Sequence, residues 1–181
     1  MYIENDVTKV IFERQTIREY KDIKLTDNEM ETLMKAAIAS PSGRNSQPCH
    51  VRFIVNRDLL EEINHDFKEF VGYDTPAYTR FDTNPVYQNA PMMAMIFSEN
   101  GAAMDAGIMV ENLAICAKGI GLDSVIIGSV GALFDGPDSA KWKKRLNIPE
   151  HFKFDIAISI GHGDEKPEPK PRNTEQYQIV E

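Results

Sequence analysis

The sequence predicts a domain of mixed α and β type, and three features predict it. Stretches with helical spacing of apolar residues alternate with short apolar runs of strand length. Turn formers mark most of the changes from one to the other. No internal repeat, low-complexity block or interior boundary divides the 181 residues, so residues 1–181 read as one domain.

The elements follow in order. Val7, Val10 and Ile11 predict a helix over Val7–Glu13. Thr26 and Glu29 have the form of a capping box. Behind them Met30, Leu33, Met34, Ala37 and Ile38 line one helical face, and Ser40-Pro41 stops the helix. Val51–Val55 reads as a strand. A helix follows with Leu59, Leu60, Ile63, Phe67 and Phe70 as its apolar side. Tyr73–Gln88 has no clear period and suits a surface loop or a lid. Met92–Phe97 reads as a fully buried strand.

The strongest helix is Ala102–Lys118, with Ala106, Met109, Val110, Leu113, Ala114 and Ala117 apolar. Its many small residues permit close approach of another helix. Gly119 and Gly121 end it, one of them as a left-handed cap. Ser124–Ile127 is a further buried strand, Pro137–Leu146 a short amphipathic helix and Phe154–Ile160 a last core strand. The tail GDEKPEPKPRN is proline-rich and extended.

Bulk properties narrow the partners. Apolar residues make up 42% and charged residues 27%, as in an ordinary globular protein. Twenty basic against 28 acidic residues give a net charge of -8, which argues against nucleic acid as the main partner. No apolar run approaches the roughly 18–20 residues of a membrane span. The start, MYIENDVTK, is too polar for a secretory signal, which implies the cytoplasm. Cys49 and Cys116 form neither a CxxC pair nor a metal cluster, as expected of two thiols in a reducing compartment.

Four segments carry groups that core packing does not explain. Glu13 to Arg18 holds Arg14 and Arg18 around Gln15 and Thr16. Guanidinium forks and a hydroxyl suit a phosphate or a pyrimidine carbonyl, and equally a solvated helix end. Pro41 to Pro48 frames Ser42, Gly43, Arg44, Asn45, Ser46 and Gln47. Side-chain amides match a donor–acceptor ring edge, and a glycine admits a flat ligand; a plain turn is the alternative. Gly128-Ser129 closes an apolar strand, where ligands of α/β sheets gather and turn glycines also occur. Lys170-Pro171-Arg172 sets two cations in an extended segment within reach of a phosphate, or in a plain basic tail.

Other chemistries find no support. There is no G-x-G-x-x-G after a strand, no G-x-x-x-x-G-K-[ST] and no G-x-S-x-G. His50, His65, His151 and His162 are scattered and carry no metal-ligand spacing, so no metal is expected.

In this order the segments resemble the FMN-dependent nitroreductase family. The family's R-R-S-x-R stands as Arg14-Gln15-Thr16-Ile17-Arg18, and its P-S-x-x-N-x-Q-P-W loop lies within Ser40 to Cys49. The family's long helix closes on alanine and Gly-x-Gly-Leu, found here within Ala117 to Leu122. The family's close, G-y-P and then K-x-R, stands as Gly161-His162-Gly163 through Lys170-Pro171-Arg172. The resemblance covers about residues 8 to 175. Gln15 replaces a usual cation, Cys49 a usual tryptophan and His162-Gly163 a usual Tyr-Pro. Tyr73–Asn89 matches no family pattern, which leaves substrate choice open.

The resemblance implies an α+β fold, a mixed central sheet flanked by helices, in a homodimer with two shared sites. It implies FMN as cofactor, NADH or NADPH as co-substrate and a small electron-poor acceptor such as a nitroaromatic or a quinone. Arg14, Gln15, Thr16 and Arg18 hold the phosphate and pyrimidine ends, with Lys170 and Arg172 completing the phosphate pocket. Pro41, Ser42, Gly43 and Asn45 of the partner chain line the ring, and Ile127 and Gly128 lie near flavin N5. A flavin does the hard chemistry itself, so no acid–base side chain is nominated. Two alternatives remain: an FMN protein of this fold with another task, dehalogenation or sensing, and a flavin-free dimeric interaction protein.

Overall fold

A computed structural model describes residues 2–73 and 85–180 of the chain. It opens with helix α1 (Asp6–Glu13), where Asn5 and Thr8 form a capping box. The expected apolar residues lie on this helix, yet Val7, Ile11 and Phe12 are exposed and no α1 side chain is buried. Helix α2 (Asp27–Ile38) starts on the expected Thr26–Glu29 box. It buries Leu33 and Ala37 and leaves Met34 and Ile38 exposed.

Strand β1 (Cys49–Ile54) begins two residues before the expected start and ends one residue early. Helix α3 (Arg57–Val71) buries Leu60, Ile63 and Phe67. Of the aperiodic stretch Tyr73–Gln88, residues 74–84 lie outside the described residues. Beyond them, the Val86 N–H donates to Asn64 Oδ1 on α3 at 2.9 Å. Then come β2 (Met92–Glu99), α4 (Ala103–Gly119) and β3 (Asp123–Ile127). The buried residues of α4 are the six apolar ones that the periodicity picks out. Its end is a Schellman turn: Leu122 N–H donates to Ala117 C=O at 2.8 Å, and Gly121 takes φ +84°. Two short helices follow, α5 (Ala132–Asp135), which the sequence pattern does not mark, and α6 (Ser139–Arg145). Strand β4 (Phe152–Gly161) closes the fold.

The architecture is α+β. The sheet runs β1-β2-β4-β3, and each neighbouring pair is antiparallel. A parallel bridge from Thr16 to Ser124 adds to its β3 edge. Alternation along β2 sends side chains into two cores. Met93, Met95 and Phe97 meet α3, α5 and α6, whereas Met92, Ala94 and Ile96 meet α2 and α4. The β2–β4 register shifts where Ile96 faces Ile156 and Phe97 faces Phe154, so Asp155 is the extra residue of a bulge. Among the described residues no helix is long and apolar enough to cross a membrane.

The α3–α6 contact has a polar pin. Asp66 accepts from Lys141 Nζ at 2.5 Å and from the buried Trp142 indole N–H at 3.1 Å. The hydrogen bond and charge of Lys141, with those from His65 and Trp142, hold the Asp66 carboxyl below its ordinary value of 3.8 against the opposing effect of burial. A depressed carboxyl stabilises the fold above its unfolded-state value, and that contribution disappears as the pH falls through the folded one. Asp66→Asn should therefore lower the urea midpoint at pH 7, and the gap from wild type should shrink as the pH is taken below 3.8.

Candidate functional site

The segments that follow α1 and β4 meet at the β3 edge. After α1 the chain turns extended at Arg14 (φ −60°, ψ 127°) and runs beside β3. Ile17 N–H donates to Ser124 C=O at 3.0 Å. Further on, Lys21 N–H donates to His162 C=O and Asp164 N–H to Glu19 C=O, each at 2.8 Å. The Arg18 N–H donates to the Glu165 carboxylate. Backbone pairing thus lays the segment after β4 against the segment after α1.

Tyr20 locks the junction. Its hydroxyl donates to Ile17 C=O at 2.6 Å and lies 3.4 Å from Ser159 C=O. Burial, then the charges of Asp123 and Glu165, push its phenol far above the ordinary tyrosine value. Two glycines allow the close approach. A Cβ on Gly161 would sit 2.5 Å from Pro91 Cδ, and one on Gly163 would sit 2.6 Å from Asp123 Oδ2. Lys118 Nζ holds that carboxylate at 3.1 Å. The departure from proline at position 163 thus has a physical reason.

This pairing gathers Arg14, Gln15, Thr16, Arg18, Lys170 and Arg172 around one cavity of about 210 Å³. Those are all six residues expected to hold the phosphate and pyrimidine ends. Glu165, Pro167 and Glu168 complete the lining. Four cations against two carboxylates leave the cavity positive within an acidic chain. Arg14 Nε has a distant partner, Glu111 Oε1 at 3.8 Å. The side chains of Arg18, Lys170 and Arg172 form no ion pair among the described residues.

The loop residues lie elsewhere. Pro41 and Ser42 line a second cavity of about 140 Å³ with Gln47, Cys49, Asp105 and Met109. Gly43 and Asn45 are exposed in the single turn of 3-10 helix beside it. Ser42 Oγ accepts the Gln47 N–H at 2.9 Å, so its oxygen staples the loop. Ile127 packs in the core, and Gly128 is exposed where β3 ends. Burial, Asp155 and Asp105 push the Cys49 thiol up to about 11, which keeps it protonated at neutral pH. Among the described residues no three His, Cys, Asp or Glu side chains form a metal-binding group.

Sequence reasoning missed Tyr20, Glu165 and Asp105. Tyr20 and Glu165 lie far apart in sequence, so no local pattern marks them as neighbours. Asp105 reads as an ordinary acid in the first turn of a helix.

Fold and cavity together define an α+β domain with a cationic pocket built from both chain ends. The chain belongs to the nitroreductase family, whose sequence pattern matches residues 11–162. It is 24% identical over 178 residues to the NADPH-flavin oxidoreductase of Vibrio harveyi, covering 93% of this chain and 70% of that protein. The crystal structure of a nitroreductase with bound FMN from Desulfitobacterium hafniense superposes with a TM-score of 0.90. It is 26% identical and covers 99% of this chain and 100% of the other. A Bacteroides fragilis nitroreductase with bound FMN also gives 0.90, at 23% identity, covering 98% and 100% of the two chains, which speaks for the fold alone.

The junction predicts its own weak point. Tyr20→Phe keeps the ring and deletes the bond to Ile17 C=O. It should lower unfolding stability by about 0.5–1.5 kcal/mol in urea denaturation.

Proposed function

We propose that the protein is a cytoplasmic FMN-dependent oxidoreductase. It takes hydride from NADH or NADPH and gives it to a small electron-poor acceptor such as a nitroaromatic or a quinone. The whole chain, residues 1–181, works as one FMN-binding domain. The observation that carries this reading is the cavity that collects Arg14, Arg18, Lys170 and Arg172 from both chain ends. The side chains of Arg18, Lys170 and Arg172 form no ion pair among the described residues, and such guanidinium and ammonium groups are the donors a phosphate requires. Gln15 and Thr16 add neutral donors for the polyol and pyrimidine ends. The FMN-bound nitroreductase of Desulfitobacterium hafniense and the NADPH-flavin oxidoreductase of Vibrio harveyi support the same reading.

At about 210 Å³ the cavity is smaller than the roughly 300 Å³ at which pockets begin to enclose a drug-sized ligand. It suits the phosphate and polyol end, and would leave the ring outside. Pro41, Ser42, Gly43 and Asn45 of a second copy of the chain would cover the ring, and exposed Gly128, with the backbone of Ile127, would stand on its reacting side. The exposed apolar surface supports a homodimer. Tyr2, Ile3, Val7, Ile11 and Phe12 at one end, Met104 and Ile108 on α4, and Tyr177, Ile179 and Val180 in the tail are all exposed. FMN supplies the hydride chemistry when bound, and the protein supplies position and charge.

Mixed with FMN, the protein should acquire a bound-flavin spectrum that NADH or NADPH bleaches without oxygen and a nitroaromatic restores. No bound flavin in excess FMN overturns the proposal. Arg172→Ala should cost about 1.5–3 kcal/mol, about tenfold to a hundredfold in FMN affinity, and leave riboflavin binding nearly unchanged. Equal losses for both ligands contradict a phosphate role.

The shared site has a separate test. Arg172→Ala and Asn45→Ala chains are unfolded together and refolded as a mixture, at an FMN concentration that neither homodimer binds. A site built from two chains places both defects in one site of each heterodimer and leaves the other native. About a quarter of all sites should then bind FMN. Recovery near zero, with heterodimers present, rejects the shared site.

A further inference from the structure

The loop between α2 and β1 is strained. Arg44, Asn45 and Gln47 take φ of 55°, 56° and 48°, the left-handed region that residues with a side chain avoid. A loop of this kind keeps its shape only where contacts over-determine it. The Ser42 Oγ bond to Gln47 N–H works inside the loop. The tether to the body of the fold comes from α4. Asp105 Oδ1 accepts the Gly43 N–H at 3.0 Å. Two turns further along α4, Asn112 Nδ2 donates to Ala36 C=O at 2.6 Å and fixes the end of α2 from which the loop springs. One helix therefore holds both the base of the loop and its strained turn.

We infer that Asp105 is a positioning residue for the ring side of the flavin site, acting through the Gly43 N–H. This rests on the reading that Pro41, Ser42, Gly43 and Asn45 face the flavin ring. Asp105 does not touch the flavin. Its oxygen fixes where Gly43 and Asn45 stand, and so whether they present their polar groups to the ring edge with the geometry that binding needs. The acceptor oxygen carries this role and the charge does not, so asparagine can replace aspartate. The phosphate end is held by other elements, so a loosened loop affects FMN and riboflavin alike.

The test is a titration of FMN and of riboflavin, followed by flavin fluorescence, into four variants and the wild type. Asp105→Ala removes the acceptor and Asp105→Asn retains one. Gly43→Pro removes the donor from the loop side. Ser42 is extended at φ −140°, ψ 157°, as a residue before proline should be, and nothing lies within 4 Å of a Cβ built on Gly43; the ring Cδ takes the place of the N–H and so pushes the Asp105 carboxylate away. The fourth variant combines Asp105→Ala with Gly43→Pro. Asp105→Ala and Gly43→Pro should each weaken both ligands about tenfold. The double variant should bind no more weakly than the worse single one, because both changes delete the same bond. Asp105→Asn should stay within about threefold of wild type.

Wild-type affinity in Asp105→Ala overturns the inference. So do additive losses in the double variant, a loss confined to FMN, or an Asn variant as weak as the Ala one. If Asp105→Ala does not fold, Gly43→Pro and Asp105→Asn decide the matter from either end of the bond. A wild-type protein that binds no flavin defeats the functional reading itself. A flavin-binding wild type with an unaffected Asp105→Ala defeats only the role of Asp105.

Discussion

The Ile17 N–H bond to Ser124 C=O, with the pairing that continues from it to His162 and Glu19, is the constraint on which the cavity depends. Gathering Arg14, Arg18, Lys170 and Arg172 in one place is electrostatically unfavourable. Side chains do not assemble such a cluster by mutual attraction. Backbone hydrogen bonds assemble it, because they are indifferent to the charge of the residues they join. Covering the β3 edge also satisfies groups that an open edge leaves to another chain. Glu165 contributes by accepting the Arg18 N–H and setting one carboxylate among the cations. Tyr20 closes the junction from beneath, where burial makes its hydroxyl bond to Ile17 C=O consequential.

Helix α4 is the second organising element. Its inner face is small and apolar, which lets it lie close on the sheet and on α2. Its polar residues reach sideways to different parts of the molecule. Asp105 meets the strained loop, Glu111 lies near Arg14, Asn112 holds α2 and Lys118 holds Asp123 beside Gly163. One rigid rod thus sets the loop, the N-terminal cation and the turn into the C-terminal segment relative to one another. Its outer face, with Met104 and Ile108 exposed, is left for the second copy that the proposed function requires.

Much of the secondary structure is legible in the residues. The buried set of α4 follows from 3.6-residue spacing, the Thr26–Glu29 box marks the start of α2, and Met92–Phe97 is buried on both faces as an unbroken apolar run suggests. The misreadings share a cause: local pattern does not say what covers a surface. Val7 and Ile11 have helical spacing, yet the described residues leave them exposed. Met34 and Ile38 continue the apolar stripe of α2 beyond the part that α4 covers. Helix α5 is a single turn between Gly131 and Gly136, too short for any period to show. Strand β1 begins at Cys49-His50 because pairing with Phe97 and Ser98 extends it, whatever the propensity of those two residues.

The residues of the candidate site divide in the same way. Their chemistry is readable in the chain, since guanidinium groups, side-chain amides and a glycine between prolines are local facts. Their order along the chain carries the family resemblance, and with it the α+β class and the expectation of FMN. Which of them meet is a matter of long-range pairing. The fold joins the Arg14–Arg18 segment to Lys170 and Arg172 across some 150 residues of sequence. It keeps the Pro41–Asn45 loop at another cavity and turns Ile127 into the core. It also supplies Tyr20, Glu165 and Asp105, whose roles exist only through contacts with distant backbone. Sequence alone determined the kinds of groups and the periods of the elements, because those depend on neighbours within a few residues. Tertiary structure alone decided which groups share a cavity, because that depends on which backbone edges remain free to pair once the sheet has formed.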